Sequence, residues 1–429
     1  MRIEEKTAYA RTKGWKVLAA GIGCLMLGTA TGNLHAQIDE KLAGLGMENI
    51  RMAQTDGHTT VAFENRAYRS SYEAVGKAVE TALEAMEEAQ DLTLTVTDGN
   101  GIPQLNIELD RELVEQYRNG TADLKTVFAR MGLNCRTDQP MRALKGSETK
   151  AKSAWRPDFV VYPQLFLENT SLNRLYTYAI GLAPTLEMPL WKGGELTAQV
   201  IFPIVGNLNG EQSQIRPGCV ALNQSFYLKK KWTLTVAAGQ FTNHRLGALA
   251  GASWRTDNGR WELGGKAGLT VYSLFADGEW ALTRKPKLNA SVYGRTYIPQ
   301  WNLEVEGEAA RFVYGDYGLK GSVVRHFGEY TVGVYAMYTD GEVNGGFNFA
   351  IPLPGRKYKR WKGMRLKPAD YFTFQYSMVA HGDYIDRKLG TEYNTVPGKN
   401  RSQGFYQPDY IRYYLTKHYK QSSRENQNK

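Results

Sequence analysis

The chain has 429 residues, 42% of them apolar, 22% charged and 12% aromatic, with 44 glycines and a formal net charge of +10. That balance excludes general disorder, a collagen-like fibre and a disulfide-dense mini-protein, and the length is ample for more than one packed unit. A mean hydropathy of −0.45 excludes a polytopic bundle of membrane helices, but not a transmembrane barrel, whose strands are apolar only at every second residue.

Residues 1–36 read as an export signal. Arg11, Lys13 and Lys16 accompany an apolar run from Trp15 to Thr31, and Leu34-His35-Ala36 ends on a small residue before Gln37. A positive end, a short apolar core and a small-residue cleavage site are what export requires. Removing the signal takes five of the 53 basic and two of the 43 acidic residues, leaving a net charge of +7. No patch in the remainder is dense enough to point to nucleic acid. Two cysteines remain, Cys135 and Cys219, equally consistent with a bridge and with free thiols.

The next region, 37–133, mixes periods. Val61 and Phe63 suggest a short strand, and Tyr72, Val75, Val79, Ala82, Leu83 and Met86 recur at helical spacing behind Ser70 and Ser71 as candidate caps. Leu92, Leu94 and Val96 alternate with threonines, and the turn signal Asp98-Gly99-Asn100-Gly101 leads into Leu105, Ile107 and Leu109. A helical stretch over 111–131 follows. These elements predict a small periplasmic α/β module. Residues 134–154 show neither period and read as a linker.

From 155 to 420 the period is two. Tyr178, Ile180, Leu182 and Leu186 face away from Thr177, Ala179, Gly181, Ala183 and Thr185; Leu263 and Leu269 oppose Gly264, Lys266 and Gly268; Phe372 and Phe374 oppose Thr373 and Gln375. Successive strand side chains point to opposite faces, so each segment has one apolar and one polar side. Turn signals such as Lys192-Gly193-Gly194, Asp257-Asn258-Gly259 and Asp340-Gly341 separate about a dozen strands of about 9–12 residues, long enough to cross a bilayer at a tilt. Tyr410–Leu415 is expected to be a closing strand, and 421–429 a disordered tail.

A soluble sandwich alternates too, so three further features decide. The polar face is rich in Gly, Ala, Thr and Ser. Tryptophans sit at strand ends, with Trp191, Trp232, Trp254, Trp261 and Trp301 as candidate members of aromatic belts at the two lipid–water interfaces. Export makes an outer membrane available. Unpaired edge amides in lipid cost several kcal/mol each, so membrane strands must close on themselves. The expected fold is mainly β: a C-terminal antiparallel transmembrane β-barrel of about 12 strands behind the α/β module.

In such a barrel Glu304, Glu306 and Glu308 line the interior beside Tyr293, Arg295 and Tyr297, with Lys266 and Gln375 on other strands. These groups suit a sugar chain, or simply a plugged interior of matched charges. A pair of glycosidase carboxylates also needs only a separation of about 5–10 Å, which any acidic strand supplies. No histidine or cysteine cluster has metal-ligand spacing, and neither a Gly-x-Ser-x-Gly elbow nor a phosphate-cradling glycine loop is present, so neither enzyme nor cofactor is expected.

The run Asn344-Gly345-Gly346-Phe347-Asn348-Phe349-Ala350-Ile351-Pro352-Leu353-Pro354-Gly355, preceded by Tyr338-Thr339-Asp340-Gly341, resembles a late strand of the YjbH family of exopolysaccharide-associated outer-membrane proteins. Arg311–Gly318 and the alternating strands fit the same picture over about 155–415. The resemblance implies an outer-membrane barrel taking part in secretion or surface assembly of a capsule-like polymer. Its implied partners are the lipid bilayer, polysaccharide and periplasmic secretion proteins. A general porin is the alternative.

Overall fold

A computed structural model describes residues 38–420 apart from 56, 100, 169–176, 209, 229–230, 379–383, 385 and 398–404. The export signal and the disordered tail expected above lie outside the described residues. Two sheets carry the architecture, and 56% of the described residues are strand and 18% helix.

The smaller sheet comprises β1 (Met47–Thr55), β2 (His58–Asn65), β3 (Asp91–Asp98), β4 (Ile102–Leu109), β5 (Gly132–Asn134) and β6 (Thr149–Lys150), ordered β5-β4-β3-β2-β1-β6. A short helix α1 (38–44) precedes it. Helix α2 (Ser71–Ala85) is the crossover that lets β2 and β3 pair in parallel; the other pairings are antiparallel. Val61, Phe63, Leu92, Leu94, Leu105 and Ile107 present one face to Val75, Ala78, Val79, Ala82 and Leu83 of α2, and all are fully buried or nearly so. The opposite face carries Thr60, Thr93, Thr95 and Asn106 and is polar.

Capping is local. The Ser70 hydroxyl accepts from the Glu73 amide, and Asp110 and Asp123 cap α3 (Arg111–Arg118) and α4 (Leu124–Arg130) in the same way. The single helix expected over 111–131 is therefore two, broken at Gly120, whose φ of +74° leaves the helical region. The stretch expected as a linker holds α5 (Asp138–Ala143), the edge strand β6 and the last residue of the other edge strand, β5; both strands are too short to show a period.

A correction concerns the C-terminus. Tyr410–Leu415 is not a closing strand: Pro408–His418 forms helix α6, packed on α2 and α4. Tyr410, Ile411, Tyr414 and Leu415 recur at helical spacing and enter the core of the small module, and Pro408 occupies the first helical turn behind the Gln407 cap.

The larger sheet contains β7 (Asp158–Glu168), β8 (Thr177–Trp191), β9 (Gly194–Gly206), β10 (Arg216–Leu228), β11 (Trp232–Phe241), β12 (Arg245–Arg255), β13 (Trp261–Ala276), β14 (Glu279–Leu282), β15 (Lys287–Ile298), β16 (Leu303–Arg311), β17 (Tyr317–Phe327), β18 (Tyr330–Thr339), β19 (Glu342–Pro352), β20 (Arg365–Pro368) and β21 (Tyr371–Ser377). Neighbours in sequence pair as antiparallel hairpins from β7 to β19, with only β14 standing off the path. The β18–β19 turn has Asp340 at φ 48° and Gly341 at φ 91°, the positive pair a two-residue hairpin of right-handed twist requires.

Where the path ends, β20 pairs in parallel with β7 while β21, beginning three residues after β20 ends, pairs with β19. One stretch of chain thus meets both ends of the sheet. Among the described residues, thirteen strands lie along that path once the four-residue β14 and β20 are set aside. An odd number of alternating strands leaves the first and last pointing the same way, which is why this seam is parallel. The seam ladder is short, Arg365↔Asp158 to Pro368↔Val161, and the sheet is not a continuously closed cylinder.

The faces of this sheet invert the usual order. Along β8 the small and polar positions are covered and the apolar ones bare: Ala183 is 0% and Thr185 2% exposed, against 42% for Leu182. Leu269 and Val334 are 52% and 58% exposed. Leu182 and Leu269 therefore do not share a dry centre between stacked layers.

Candidate functional site

The inner face of the large sheet gathers most of the side chains singled out from sequence. Register places Tyr293 opposite Glu308, Arg295 opposite Glu306 and Tyr297 opposite Glu304 on β15 and β16. Arg295 reaches Glu306 at 2.6 Å and Glu304 at 3.8 Å, and Lys266 reaches Glu308 at 3.3 Å. Tyr293 donates to Glu262, itself paired with Arg255, and Tyr297 donates to Asn302. The carboxylate ladder is thus held against cations from neighbouring strands. Glu262 and Arg255, which complete it, escaped sequence reasoning because only register reveals them. Gln375 lies apart, on β21.

The tryptophans fall differently from expectation. Trp191, Trp232, Trp254, Trp261 and Trp301 all occupy hairpins at one end of the sheet, where β7 begins, joined there by Trp155 and Trp361. They form one rim rather than two belts, because alternate hairpins of a meander return to the same end. Trp280, on β14, lies toward the opposite end.

That rim meets the small module through buried ions. Arg365, 2% exposed, donates to Glu48 of β1 at 2.7 Å and to Asp158 of β7 at 3.0 Å. Arg360 approaches the same two carboxylates at 2.6 and 2.9 Å. Arg66 adds Glu64 at 2.8 Å and Glu195 of β9 at 3.3 Å. Burial works against the Glu48 carboxylate, yet Arg360 and Arg365 together hold it below its ordinary range. The β3–β4 turn carries Asp98 to the same mouth, and there burial, reinforced by Glu64, pushes its carboxyl up to about 6.

Between β21 and α6, residues 386–397 run along the covered face of the large sheet, contacting strands on several sides. Tyr384 donates to Met337 Sδ, and the Gly390 amide to Asp316. Glu392 pairs with Lys320. Tyr393 stacks on Phe241 at 5.3 Å and donates to Asn289. The Asn394 amide donates to Thr242, and the Thr395 carbonyl accepts from Asn223. Phe405 then stacks on His326 at 4.5 Å, just before α6. No periodicity marks these residues, so sequence reasoning missed them as an internal segment.

Two cavities remain beside this segment. One, of about 500 Å³, is lined by Asp98, Tyr162, Glu187, Glu195, Asp370 and the 393–397 stretch. The other, of about 330 Å³, is lined by Gln164, Gln199, Gln240, Gln375 and Phe241 among others. Cys135 and Cys219 are both buried free thiols. Among the described residues no metal-ligating cluster occurs, and no helix is long and apolar enough to cross a membrane.

Comparison with known proteins agrees with the family resemblance. Residues 26–237 match the model of the YjbH family, described as exopolysaccharide biosynthesis protein YbjH. The match takes in the small module as far as β6 and the sheet from β7 into β11, and does not reach the 338–355 run or α6. No curated protein matches. Two solved structures are similar. One is OmpTdeltaL8, a loop L8 deletion mutant of OmpT, an outer membrane protein of Vibrio cholerae; at 9% identity it covers 46% of this chain and 87% of that chain, with a TM-score of 0.28. The other is in-vitro folded OmpT of the same organism, at 8% identity, 45% and 80% coverage and a TM-score of 0.24. Likenesses so slight carry no weight below.

Proposed function

We propose that this chain is an outer-membrane β-barrel, its two ends brought together at the β20–β7 seam, that takes part without catalysis in secretion or surface assembly of an exopolysaccharide. The observation that carries the reading is the inverted sheet. A bare apolar exterior of this extent is unfavourable in water but suits hydrocarbon, while the charged and amide side chains of the inner face stay enclosed. The family match supplies the exopolysaccharide connection.

In this reading the tryptophan rim sits at the periplasmic headgroup level, below which the small module docks secretion partners. The segment 386–397, hydrogen-bonded to the interior wall, argues against a freely conducting porin. Deleting the gene and measuring surface polysaccharide tests the role: amount or chain length should fall, and unchanged polymer refutes it. Fractionation with heated and unheated gel mobility tests the membrane assignment, for which a soluble, heat-insensitive protein would be fatal.

A further inference from the structure

We propose that the two adjoining cavities beside the internal segment form one binding chamber for an uncharged stretch of glycan. The inference rests on the exopolysaccharide reading and names the site and substrate class within it. Both cavities fall in the range of about 300–1,000 Å³ usual for ligand sites, and both have Tyr162, Tyr371, Thr373 and Asn394 in their walls.

Three observations specify the ligand. The 330 Å³ cavity is lined by amides, Gln164, Gln199, Gln240 and Gln375 from four different strands, together with Arg216 and the Tyr162 ring. A carboxamide offers two donors and an acceptor, matching hydroxyls that both give and take hydrogen bonds, and a ring face suits the C–H side of a sugar. Second, some of this capacity is unspent. The half-buried side chains of Gln164 and Gln375 carry no hydrogen bond to the described residues, and the buried Gln240 carboxamide oxygen has none either. For that buried oxygen the missing bond costs about 1–3 kcal/mol, which a bound hydroxyl relieves. Third, the 500 Å³ cavity gathers Asp98, Glu187, Glu195 and Asp370 with Lys266 in its wall; Arg66 pairs with Glu195 and Lys367 with Asp370, and Asp98 and Glu187 add acid beyond these pairs. Such a mouth favours neutral chains over uronate- or sulfate-bearing ones.

The test uses the full chain purified in detergent, with maltoheptaose as the neutral probe and a fully sulfated maltoheptaose as the charged one, followed by titration calorimetry. Wild type is expected to bind the neutral probe at least about tenfold more tightly than the sulfated one. Gln164→Leu with Gln375→Leu should weaken neutral binding by about tenfold or more, since two hydrogen bonds are lost. Gln164→Asn with Gln375→Asn should restore part of it. Heat-modifiable gel mobility confirms that each variant is folded, and binding is compared only among folded ones. Equal or tighter binding of the sulfated probe, no binding of either, or indifference to the leucine pair overturns the chamber. Unchanged polysaccharide on gene deletion strikes instead at the underlying role, so the two failures are told apart.

Discussion

Replacing Arg365 by Met removes the cation that ties Glu48 of the small module to Asp158 at the seam of the large sheet. Both carboxylates stay buried, at 4% and 2% exposure, and each loses a charged hydrogen bond, of 2.7 and 3.0 Å. Breaking a buried ion pair from one side costs about 3–5 kcal/mol, because the remaining charge is stranded. Arg360 still reaches both acids, so the expected loss lies near the lower end, about 3 kcal/mol. Adding Glu48→Gln discharges one stranded acid, and contacting partners in such cycles couple by about 0.5–3 kcal/mol. The assay is urea unfolding of the four proteins of that cycle in detergent, followed by circular dichroism and by gel mobility of unheated samples. A loss below about 1 kcal/mol for Arg365→Met, or strictly additive single changes, would show that the cluster is a solvated surface array worth little. The sign with pH follows from Glu48. A carboxyl held below its unfolded value stabilises above that value and loses the contribution as pH falls through the folded one, so the wild-type advantage should fade on acidification below about 4.5.

Three other outcomes are expected. Asp98 titrates the opposite way: its folded value, about 6, exceeds the unfolded one, so its contribution is fully present below about 3.9 and disappears as pH rises through 6. Asp98→Asn should therefore be neutral at pH 4 but stabilise by up to about 3 kcal/mol at pH 8 in the same unfolding assay. Leu182→Arg and Leu269→Arg, on the bare face, should each cost up to about 2–4 kcal/mol in lipid vesicles, whereas Thr185→Ser on the covered face should cost under about 1; equal effects would contradict the outward assignment. A Cβ at Gly76 would stand 2.3 Å from the Tyr419 ring and 2.8 Å from Leu415, so Gly76→Val should push α6 from α2 and destabilise the module by about 1–3 kcal/mol, read by proteolysis of the C-terminus.

Alternation along the strands made the two-faced sheet readable from the chain alone, because a side chain's face is set by its position parity. Leu182 and Thr185 needed no partner to be sorted. The same parity could not say that the strand count is odd, nor that a parallel seam follows, since both depend on which strands become neighbours. Helical spacing is equally present at Tyr410, Ile411, Tyr414 and Leu415, but a short Tyr-rich run behind so many strands is compatible with either period, and packing on α2 and α4 decides for the helix. Parity puts Glu304, Glu306 and Glu308 on one face, yet their pairing is hidden: whether Glu306 faces Arg295 or water is decided by register between β15 and β16. Least visible is the return of residues 386–397 along the covered face. Those residues have no period and draw their contacts from strands far away in sequence, so local alternation determined the faces of this protein while only tertiary packing decided what covers the polar one.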